Sequence, residues 1–391
     1  MDVVFISNYI NHHQIPLSNA LYTLLDGKYT FIQTMPMGKE RVQLGWAEGD
    51  KALPYVLPAY QSQETAQLCM KIAAQADVVI LGSAPSQYLT QRLGQNKVTI
   101  RYCERLFKKG TYRRFIPATR RKVWDGYTRH KDKRLYAICA SGYASADLLR
   151  CRFPPDKCFK WGYFPETRRQ DYSQLLEKKL GQPVRLLWVG RFIGWKRPAF
   201  AIKTARYLKS KGHDFHLDMI GTGTYEGKLK RLAQKYHLEE NVSFLGAMPP
   251  EKVRDHMERA HIFLMTSDFN EGWGAVLNEA MNSGCAVVAS HAAGSTPFLL
   301  KDGENGLIYN SFRIRDLYQK TERLVCDRHL ISRLGEGAIL TINEVWNAEE
   351  AAQRLVHFLQ SALRDETAAF ESGPLSRAGI IKNNWYKGIM V

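Results

Sequence analysis

The 391-residue sequence predicts an α/β protein with two doubly wound domains, each built on a parallel sheet. The length suits two domains better than one. The composition, 45% hydrophobic and 24% charged, is typical of globular proteins. Short β-rich apolar runs alternate with helical patterns, and this alternation occurs in two successive series. Strands that alternate with helices favour parallel sheets covered on both faces.

The first series has five predicted strands, each ending near small or polar residues. They are residues 2–7, 29–34, 77–82, 97–103 and 135–141. Residues 64–75 between them have a helical pattern. The N-terminus has an acid at position 2 and no basic segment, so it is expected to be a buried strand and not a signal peptide.

The second series repeats this plan. Its predicted strands are residues 184–190, 215–221, 242–246, 262–267 and 286–290. Its predicted helices are residues 197–211, 225–237, 249–259 and 274–283. Gly, Pro and charged residues interrupt the pattern at 160–169, which predicts the junction there. The expected domains are therefore 1–165 and 166–345, followed by a segment 346–391.

The net charge of +17 is unevenly distributed. Residues 101–134 contain thirteen Lys or Arg and three acidic residues, a net of +10. Interleaved with them are Tyr102, Phe107, Tyr112, Phe115 and Trp124. This segment predicts a surface for a polyanion, which could be a phosphate-bearing substrate, an anionic membrane or nucleic acid. A solvated helix or loop face is the alternative.

Other features narrow the class of protein. The sequence has no 18-residue apolar run, so no membrane-spanning helix is expected. The seven cysteines form no Cys-x-x-Cys pair, and they are expected to be reduced thiols in a cytoplasmic protein without a zinc site.

Ligands of open parallel sheets bind at the carboxyl ends of the strands, so the loops there are the candidate sites. In "GRFIGWKRP" (190–198), Arg191 and Lys196 could hold a diphosphate, although surface solubility would also explain two cations. In "GTGTYEG" (221–227), the glycines allow a tight turn and close approach to a ligand. Glu226 breaks the dinucleotide fingerprint, which counts against a dehydrogenase.

The stretch "DFNEGWGAVLNEAMNSG" (268–284) places two carboxylates, Glu271 and Glu279, on either side of a predicted helix N-terminus. Helix N-termini favour phosphate, and Gly272 and Gly274 remove side chains that would block backbone approach. Carboxylates accept hydrogen bonds from sugar hydroxyls. The arrangement suits a sugar nucleotide, whereas an ordinary capping loop with a surface Glu would leave both glycines unexplained.

Together these stretches, with "VSFLGAMPPEKV" (242–253) and "GENGLIY" (303–309), resemble the family-four retaining glycosyltransferases of the bacterial polysaccharide type. The resemblance covers about residues 184–356. It implies the GT-B fold, in which two Rossmann-like domains face each other across a cleft. The first domain would bind the acceptor, the second the nucleotide-sugar, and the final helix and tail (346–391) would pack back on the first domain.

The resemblance also implies roles for individual residues. Arg191 and Lys196 would hold the diphosphate of a UDP- or GDP-sugar, and Glu271 would bind the sugar ring. Backbone N–H groups would assist from Gly272, Trp273, Gly274 and Ala275. Glu279 would bind the ribose, while Gly246, Met248 and Thr266 would lie near the base. Transfer would retain the anomeric configuration, without a metal ion or other cofactor.

The first half departs from the family pattern. The loop "NYINHHQIPLS" (8–18) carries His12 and His13 where many relatives have two glycines. Glu104 follows a later strand where many relatives have a histidine. His13 and Glu104 are expected to contact the sugar donor or the acceptor, with a structural role such as helix capping as the open alternative.

The leading hypothesis is therefore a glycosyltransferase acting on a lipid-linked or envelope polysaccharide precursor, peripheral to the inner face of a membrane. A non-hydrolysing sugar-nucleotide epimerase of the same fold is one alternative. A nucleic-acid-binding protein is the other, and the paired glutamates argue against it.

Overall fold

The computed structural model describes residues 1–38, 53–180, 183–382 and 384–387. It contains two compact units. The first comprises residues 1–166 with 345–381, and the second comprises 167–344 with 382–391. Each unit is built on one parallel sheet with helices around it, so the predicted class of two doubly wound α/β domains is confirmed.

The first unit has a seven-stranded sheet whose neighbouring strands are all parallel. The order is β3-β2-β1-β4-β5-β6-β7. The strands are β1 (Val3–Ser7), β2 (Tyr29–Gln33), β3 (Val56–Pro58), β4 (Val78–Leu81), β5 (Thr99–Cys103), β6 (Leu135–Cys139) and β7 (Cys158–Lys160). The sequence missed β3 and β7 because each has only three residues and lies at a sheet edge.

Helices connect these strands. They are α1 (Ile15–Leu24), α2 (Gln63–Gln75), α3 (Gln87–Gly94), α4 (Pro117–Gly126) and α5 (Ala144–Leu149). Shorter 3-10 helices occur at Thr111–Phe115, Thr128–His130 and Pro155–Lys157. Ser62 caps α2, because its side chain accepts a hydrogen bond from the Thr65 N–H.

The second unit has a six-stranded parallel sheet in the order β10-β9-β8-β11-β12-β13. The strands are β8 (Val184–Val189), β9 (Phe215–Ile220), β10 (Val242–Gly246), β11 (Ile262–Met265), β12 (Ala286–Ser290) and β13 (Leu307–Tyr309). The edge strand β13, again three residues long, was not predicted. Leu186, Leu217, Leu264 and Val288 come from four strands and belong to one buried cluster.

The helices of the second unit include the four predicted ones, each within a few residues of its predicted position. They are α6 (Tyr172–Glu177), α7 (Pro198–Ser210), α8 (Glu226–Lys235), α9 (Pro250–Arg259), α10 (Val276–Asn282), α11 (Thr296–Leu299), α12 (Ile314–Cys326) and α13 (Arg328–Glu344). A 3-10 turn, Gly194–Lys196, precedes α7. The loops after β8 and β11 therefore lead directly into α7 and α10.

The segment expected at 346–391 is divided between the two units. Helix α14 (Ala348–Leu363) belongs to the first unit, where the Phe358 ring packs edge-on against Phe159 at 4.6 Å. Beyond Ile381, a described 3-10 turn (Trp385–Lys387) belongs to the second unit, where the Tyr386 ring lies 4.7 Å from that of His291. The last four residues, 388–391, lie outside the described residues.

No helix among the described residues is long and apolar enough to cross a membrane. All seven cysteines are described, and none is paired in a disulfide.

Candidate active site

Lys196 and Glu271 meet at the carboxyl end of the second sheet. Lys196 lies in the loop after β8 and Glu271 in the loop after β11, and their Nζ and Oε2 atoms are 2.5 Å apart. The two side chains are only 14% and 8% exposed, so water screens this ion pair weakly. Ser267 donates a hydrogen bond from Oγ to the same carboxylate oxygen at 2.8 Å. Two residues predicted for one ligand are thus in direct contact.

Backbone and side-chain hydrogen bonds join the two loops. The Thr266 hydroxyl accepts a hydrogen bond from Trp188 Nε1 at 2.8 Å and donates one to the Lys196 carbonyl at 2.7 Å. The Asp268 N–H donates to the Trp195 carbonyl at 2.9 Å. Thr266 was expected near the nucleotide base. It is buried, and its hydrogen bonds support a role in positioning Lys196.

Trp195 lies between the two predicted cations. Its ring centroid is 6.0 Å from Arg191 Cζ and 4.9 Å from Lys196 Nζ, distances suited to cation–π interaction. Arg191 is exposed and Lys196 is nearly buried, so one cation faces solvent while the other belongs to the ion pair. Trp195 was not among the predicted site residues, although its place beside Lys196 in the quoted motif was the available signal.

The glycines after β9 pack closely against the backbone of the loop that follows β8. A Cβ on Gly221 would lie 2.0 Å from the Gly190 carbonyl oxygen, and one on Gly223 would lie 2.7 Å from the Phe192 carbonyl oxygen. Gly221 also has a φ of +132°. What approaches these glycines is the backbone of the loop that carries Arg191. They set the shape of that loop.

Gly274 has a comparable role beside Glu271. It has a φ of +92°, and a Cβ there would lie 2.3 Å from Met265 Cε and 3.2 Å from Glu271 Cγ. Gly272, Trp273 and Ala275 around it are buried. Trp273 donates a hydrogen bond from Nε1 to Asn278 Oδ1 at 2.8 Å, which anchors the loop to α10.

Glu279 lies in the first turn of α10 and is half-buried. Burial raises the pKa of its carboxyl group from an ordinary 4.5 to about 7, and the charges of Arg254 and Arg168 only partly offset this rise. The carboxyl group is therefore divided between its neutral and charged forms near neutral pH.

Residues distant in sequence hold α10 in place. Lys179 donates hydrogen bonds to the two carbonyls that directly follow the helix, those of Ser283 at 3.2 Å and Gly284 at 2.6 Å. Asn282 accepts hydrogen bonds from Arg254 Nη2 at 2.5 Å and from the Arg168 N–H at 2.8 Å. No local sequence signal linked these residues to the site, because they meet only after folding.

Gly246 is the last residue of β10 and Met248 follows it, two strands from β8 in the sheet. Gly246 has a φ of +72°, and its carbonyl accepts a hydrogen bond from the Gly221 N–H at 2.7 Å. Met248 is half-buried. These residues therefore lie at the same end of the sheet as the other predicted residues.

The first unit has a pocket of about 940 Å³ that includes His13 and Glu104 in its lining. The His13 ring lies 6.1 Å from that of Tyr163, nearly parallel to it. Tyr163 donates a hydrogen bond to Glu104 Oε1 at 2.5 Å, and Lys108 forms an ion pair with the same carboxylate. Both predicted residues are thus connected through Tyr163, which sequence reasoning missed. The His12 ring packs on His13 at 3.8 Å.

The basic segment 101–134 forms one side of this pocket. Arg113 of the 3-10 helix Thr111–Phe115 and Lys122 of α4 are among its lining residues. The same two helices expose large apolar side chains, with Phe115 71% and Trp124 54% accessible. This segment therefore combines a pocket wall with an exposed basic and aromatic surface.

Two parallel-sheet domains with candidate residues at strand ends define the GT-B class of glycosyltransferase folds, and solved structures agree. The crystal structure of Anabaena Alr3699/HepE in complex with UDP has a TM-score of 0.69 at 13% identity, covering 92% of this chain and 100% of that chain. The crystal structure of a glycosyltransferase from Rickettsia africae ESF-5 has a TM-score of 0.64 at 14% identity, with coverages of 93% and 99%. At these identities the similarity shows the fold.

The sequence comparisons find similarity to glycosyltransferases. Residues 172–341, which are less than half of the chain, match the family model of the glycosyl transferases group 1. The chain is 30% identical over 186 residues to a D-inositol 3-phosphate glycosyltransferase of Corynebacterium aurimucosum, covering 45% of this chain and 43% of that protein. It is 33% identical over 142 residues to the amylovoran biosynthesis glycosyltransferase AmsK of Erwinia amylovora, covering 35% of each. The matches span less than half the length of these curated relatives.

Proposed function

We propose that this protein is a retaining glycosyltransferase that moves a sugar from a nucleotide-diphosphate-sugar to a hydroxyl group of a lipid-linked or envelope polysaccharide precursor. The observation that carries the proposal is the nearly buried Lys196–Glu271 pair, at the strand ends of a domain that matches group 1 glycosyl transferases. A cation for the diphosphate and a carboxylate for the sugar hydroxyls are both needed by a sugar nucleotide.

In the second domain, Arg191 and Lys196 bind the diphosphate and stabilise the charge that develops on it as the glycosidic bond breaks. Glu271 accepts hydrogen bonds from the sugar, and Glu279 binds the ribose. Metal is not required, because the two cations neutralise the leaving group. UDP is the first nucleotide to test, since the HepE structure contains it.

In the first domain, the pocket beside Glu104, Tyr163 and His13 binds the acceptor. The acceptor oxygen attacks the anomeric carbon on the face that the diphosphate leaves. A carbon–oxygen bond to the acceptor forms, the bond to the diphosphate oxygen breaks, and the acceptor proton passes to the departing diphosphate. This course retains the anomeric configuration without a protein nucleophile.

The protein also binds anionic membrane surfaces through the helices at 111–126. Phe115, Trp124 and Tyr112 are more than half exposed there. Arg114 and Arg120 are exposed beside them. Aromatic side chains that enter the interface, together with basic residues worth on the order of 1 kcal/mol each near anionic lipid, favour such binding.

Thermal unfolding with UDP, GDP, ADP, dTDP and CMP tests the sugar-donor site. A nucleotide at about a hundred times its dissociation constant should add roughly 2.7 kcal/mol of stability. We expect one nucleoside diphosphate to stabilise the wild-type chain and Lys235→Ala, but not Lys196→Ala. Lys235 is an exposed cation on α8, so it controls for the loss of one positive charge. Equal stabilisation of both variants would reject the assigned site.

Turnover is then measured with the matching sugar nucleotide and candidate acceptors. We expect Lys196→Ala and Glu271→Ala to abolish transfer while Lys235→Ala keeps it. Wild-type transfer by Glu271→Ala would contradict the assigned role of its carboxylate.

A further inference from the structure

We propose that the acceptor carries an anionic group, a phosphate or a carboxylate, which the pocket of the first domain binds through Arg101, Arg113 and Lys122. This inference rests on the proposed function and adds the substrate class to it. It starts from the charge of the pocket lining, which includes five Lys or Arg residues and a single acidic residue, Glu104.

Two of the five cations already have carboxylate partners. Lys108 pairs with Glu104, whose other oxygen accepts the Tyr163 hydroxyl. Arg105 lies 3.4 Å from the fully buried Asp147 carboxylate. Both carboxylate oxygens of Glu104, the single acidic residue of the lining, therefore already have partners. Glu104 does not neutralise the charges of the other cations in the lining.

The other three cations have no carboxylate within 4.0 Å among the described residues. Arg101 at the end of β5 is half-buried, with its guanidinium 5.0 Å from the centre of the Tyr127 ring. Its Nε and Nη1 atoms have no hydrogen-bond partner in the described part of the chain. Removing an arginine from water without a counter-ion costs free energy, which an anion in the pocket would offset.

Arg113 and Lys122 extend this positive wall from two further elements, the 3-10 helix Thr111–Phe115 and α4. Three cations from three elements converge on one concave space, whereas a solvated charged face would spread them over a convex surface. The same space is lined by Asn8, Asn11, Gln14 and Ser83, whose amide and hydroxyl groups suit sugar hydroxyls. The chemistry of the lining therefore fits an anionic saccharide headgroup.

Neighbouring residues supply matched controls. Arg113 lines the pocket and Arg114 does not; Lys122 lines it and Arg121 does not. Each pair removes one positive charge from the same short helix, so long-range electrostatics are equal within a pair. Both control side chains are exposed, with that of Arg121 88% accessible.

Isothermal titration measures binding of glucose 6-phosphate, glucuronic acid and glucose to the wild-type chain and the four alanine variants. The Lys196→Ala background is used throughout, so that the diphosphate site does not compete for phosphate. We expect Arg113→Ala and Lys122→Ala to weaken binding of an anionic sugar by about tenfold each, and Arg114→Ala and Arg121→Ala by less than about twofold. Preference for glucose 6-phosphate identifies a phosphate acceptor, and preference for glucuronic acid identifies a carboxylate. Equal binding of neutral glucose, or equal losses within each pair, overturns the inference.

Kinetics separate this inference from the proposed function. With an acceptor in hand and Lys196 intact, Arg113→Ala should raise the acceptor KM and leave kcat nearly unchanged. If the protein transfers sugar to a neutral acceptor, and neither Arg113→Ala nor Lys122→Ala changes the rate, the inference of an anionic acceptor is rejected. The proposed transferase activity would then still stand. If the anionic sugar binds but no acceptor receives a sugar, the proposed transferase activity is rejected. The proposed anion-binding site in the first domain would then still stand.

Discussion

At the scale of single residues, Glu279 is a carboxyl group whose protonation state changes near neutral pH. Burial raises the pKa of its carboxyl group to about 7, so the folded chain binds this proton more tightly than the unfolded chain does between about pH 4.5 and 7. The bound proton on Glu279 therefore stabilises the folded chain fully below pH 4.5, and this stabilisation is lost as the pH rises through 7. Above that pH the folded chain carries a poorly solvated carboxylate.

Glu279→Gln is therefore expected to be more stable than the wild type at pH 8 by about 1 kcal/mol. This value is discounted from the full shift because the side chain is partly solvated. The advantage should largely disappear at pH 4, which is below the pKa of this carboxyl group in both the folded and the unfolded chain. Urea unfolding at the two pH values measures it, and a difference that does not change with pH would contradict the burial of Glu279.

The second prediction at the scale of residues concerns the stability of two glycine variants. Gly221→Ala would place Cβ 2.0 Å from a backbone oxygen at a positive φ, and we expect it to cost about 3 kcal/mol. Gly227→Ala is the control, since it lies in α8 with its nearest neighbour, Arg231 Nη1, 3.7 Å away. It should be neutral or stabilise by up to about 1 kcal/mol. Thermal unfolding compares them, and a tolerated Gly221→Ala would show that the two loops can separate.

At the scale of elements, the helices at 111–126 carry two sets of side chains in different surroundings. Arg113 and Lys122 line the pocket, whereas Phe115 and Trp124 extend into solvent. The exposed face should therefore control membrane attachment, and the pocket-lining residues should control acceptor binding.

The double variant Phe115→Ser/Trp124→Ser should bind anionic vesicles at least about tenfold more weakly, because two large apolar side chains no longer enter the interface. Phe312→Ser is the control, since Phe312 is 68% exposed but belongs to the second unit. Vesicle sedimentation at low salt provides the measurement. If the control loses as much binding as the double variant, the membrane-binding surface is not at 111–126.

How far the sequence predicts the structure also depends on the element. Long buried strands such as β8 and β12 were predicted to within one residue, because apolar periodicity and burial agree. Strands β3, β7 and β13 were missed, since three residues carry too little pattern. In the site, Lys196 and Glu271 were found through their loops. The connection from His13 through Tyr163 to Glu104 could not be found, because it joins side chains far apart in sequence.

At the scale of the whole molecule, the proposed transferase and the alternative epimerase predict different products. Incubation of the full chain with its sugar nucleotide and no acceptor should leave the donor sugar unchanged, because transfer needs an acceptor oxygen. Chromatography and NMR of the recovered nucleotide sugar provide the measurement. Conversion to an epimer under these conditions would favour the epimerase and contradict the proposed function.

If the chain binds a sugar nucleotide as proposed, Glu271 competes with the diphosphate of that donor for Lys196. An incoming diphosphate must draw Lys196 away from a carboxylate held at 2.5 Å, and alone it would leave Glu271 buried without a cation. A complete nucleotide-sugar compensates both partners at once, with phosphate for the lysine and hydroxyl groups for the glutamate. Inorganic phosphate and bare nucleotides, which are abundant in cells, are therefore expected to bind more weakly than the complete nucleotide-sugar. For the proposed transferase we therefore expect the pair to favour the intact sugar donor, and Glu271→Gln should remove this selectivity by letting free nucleoside diphosphate bind more tightly.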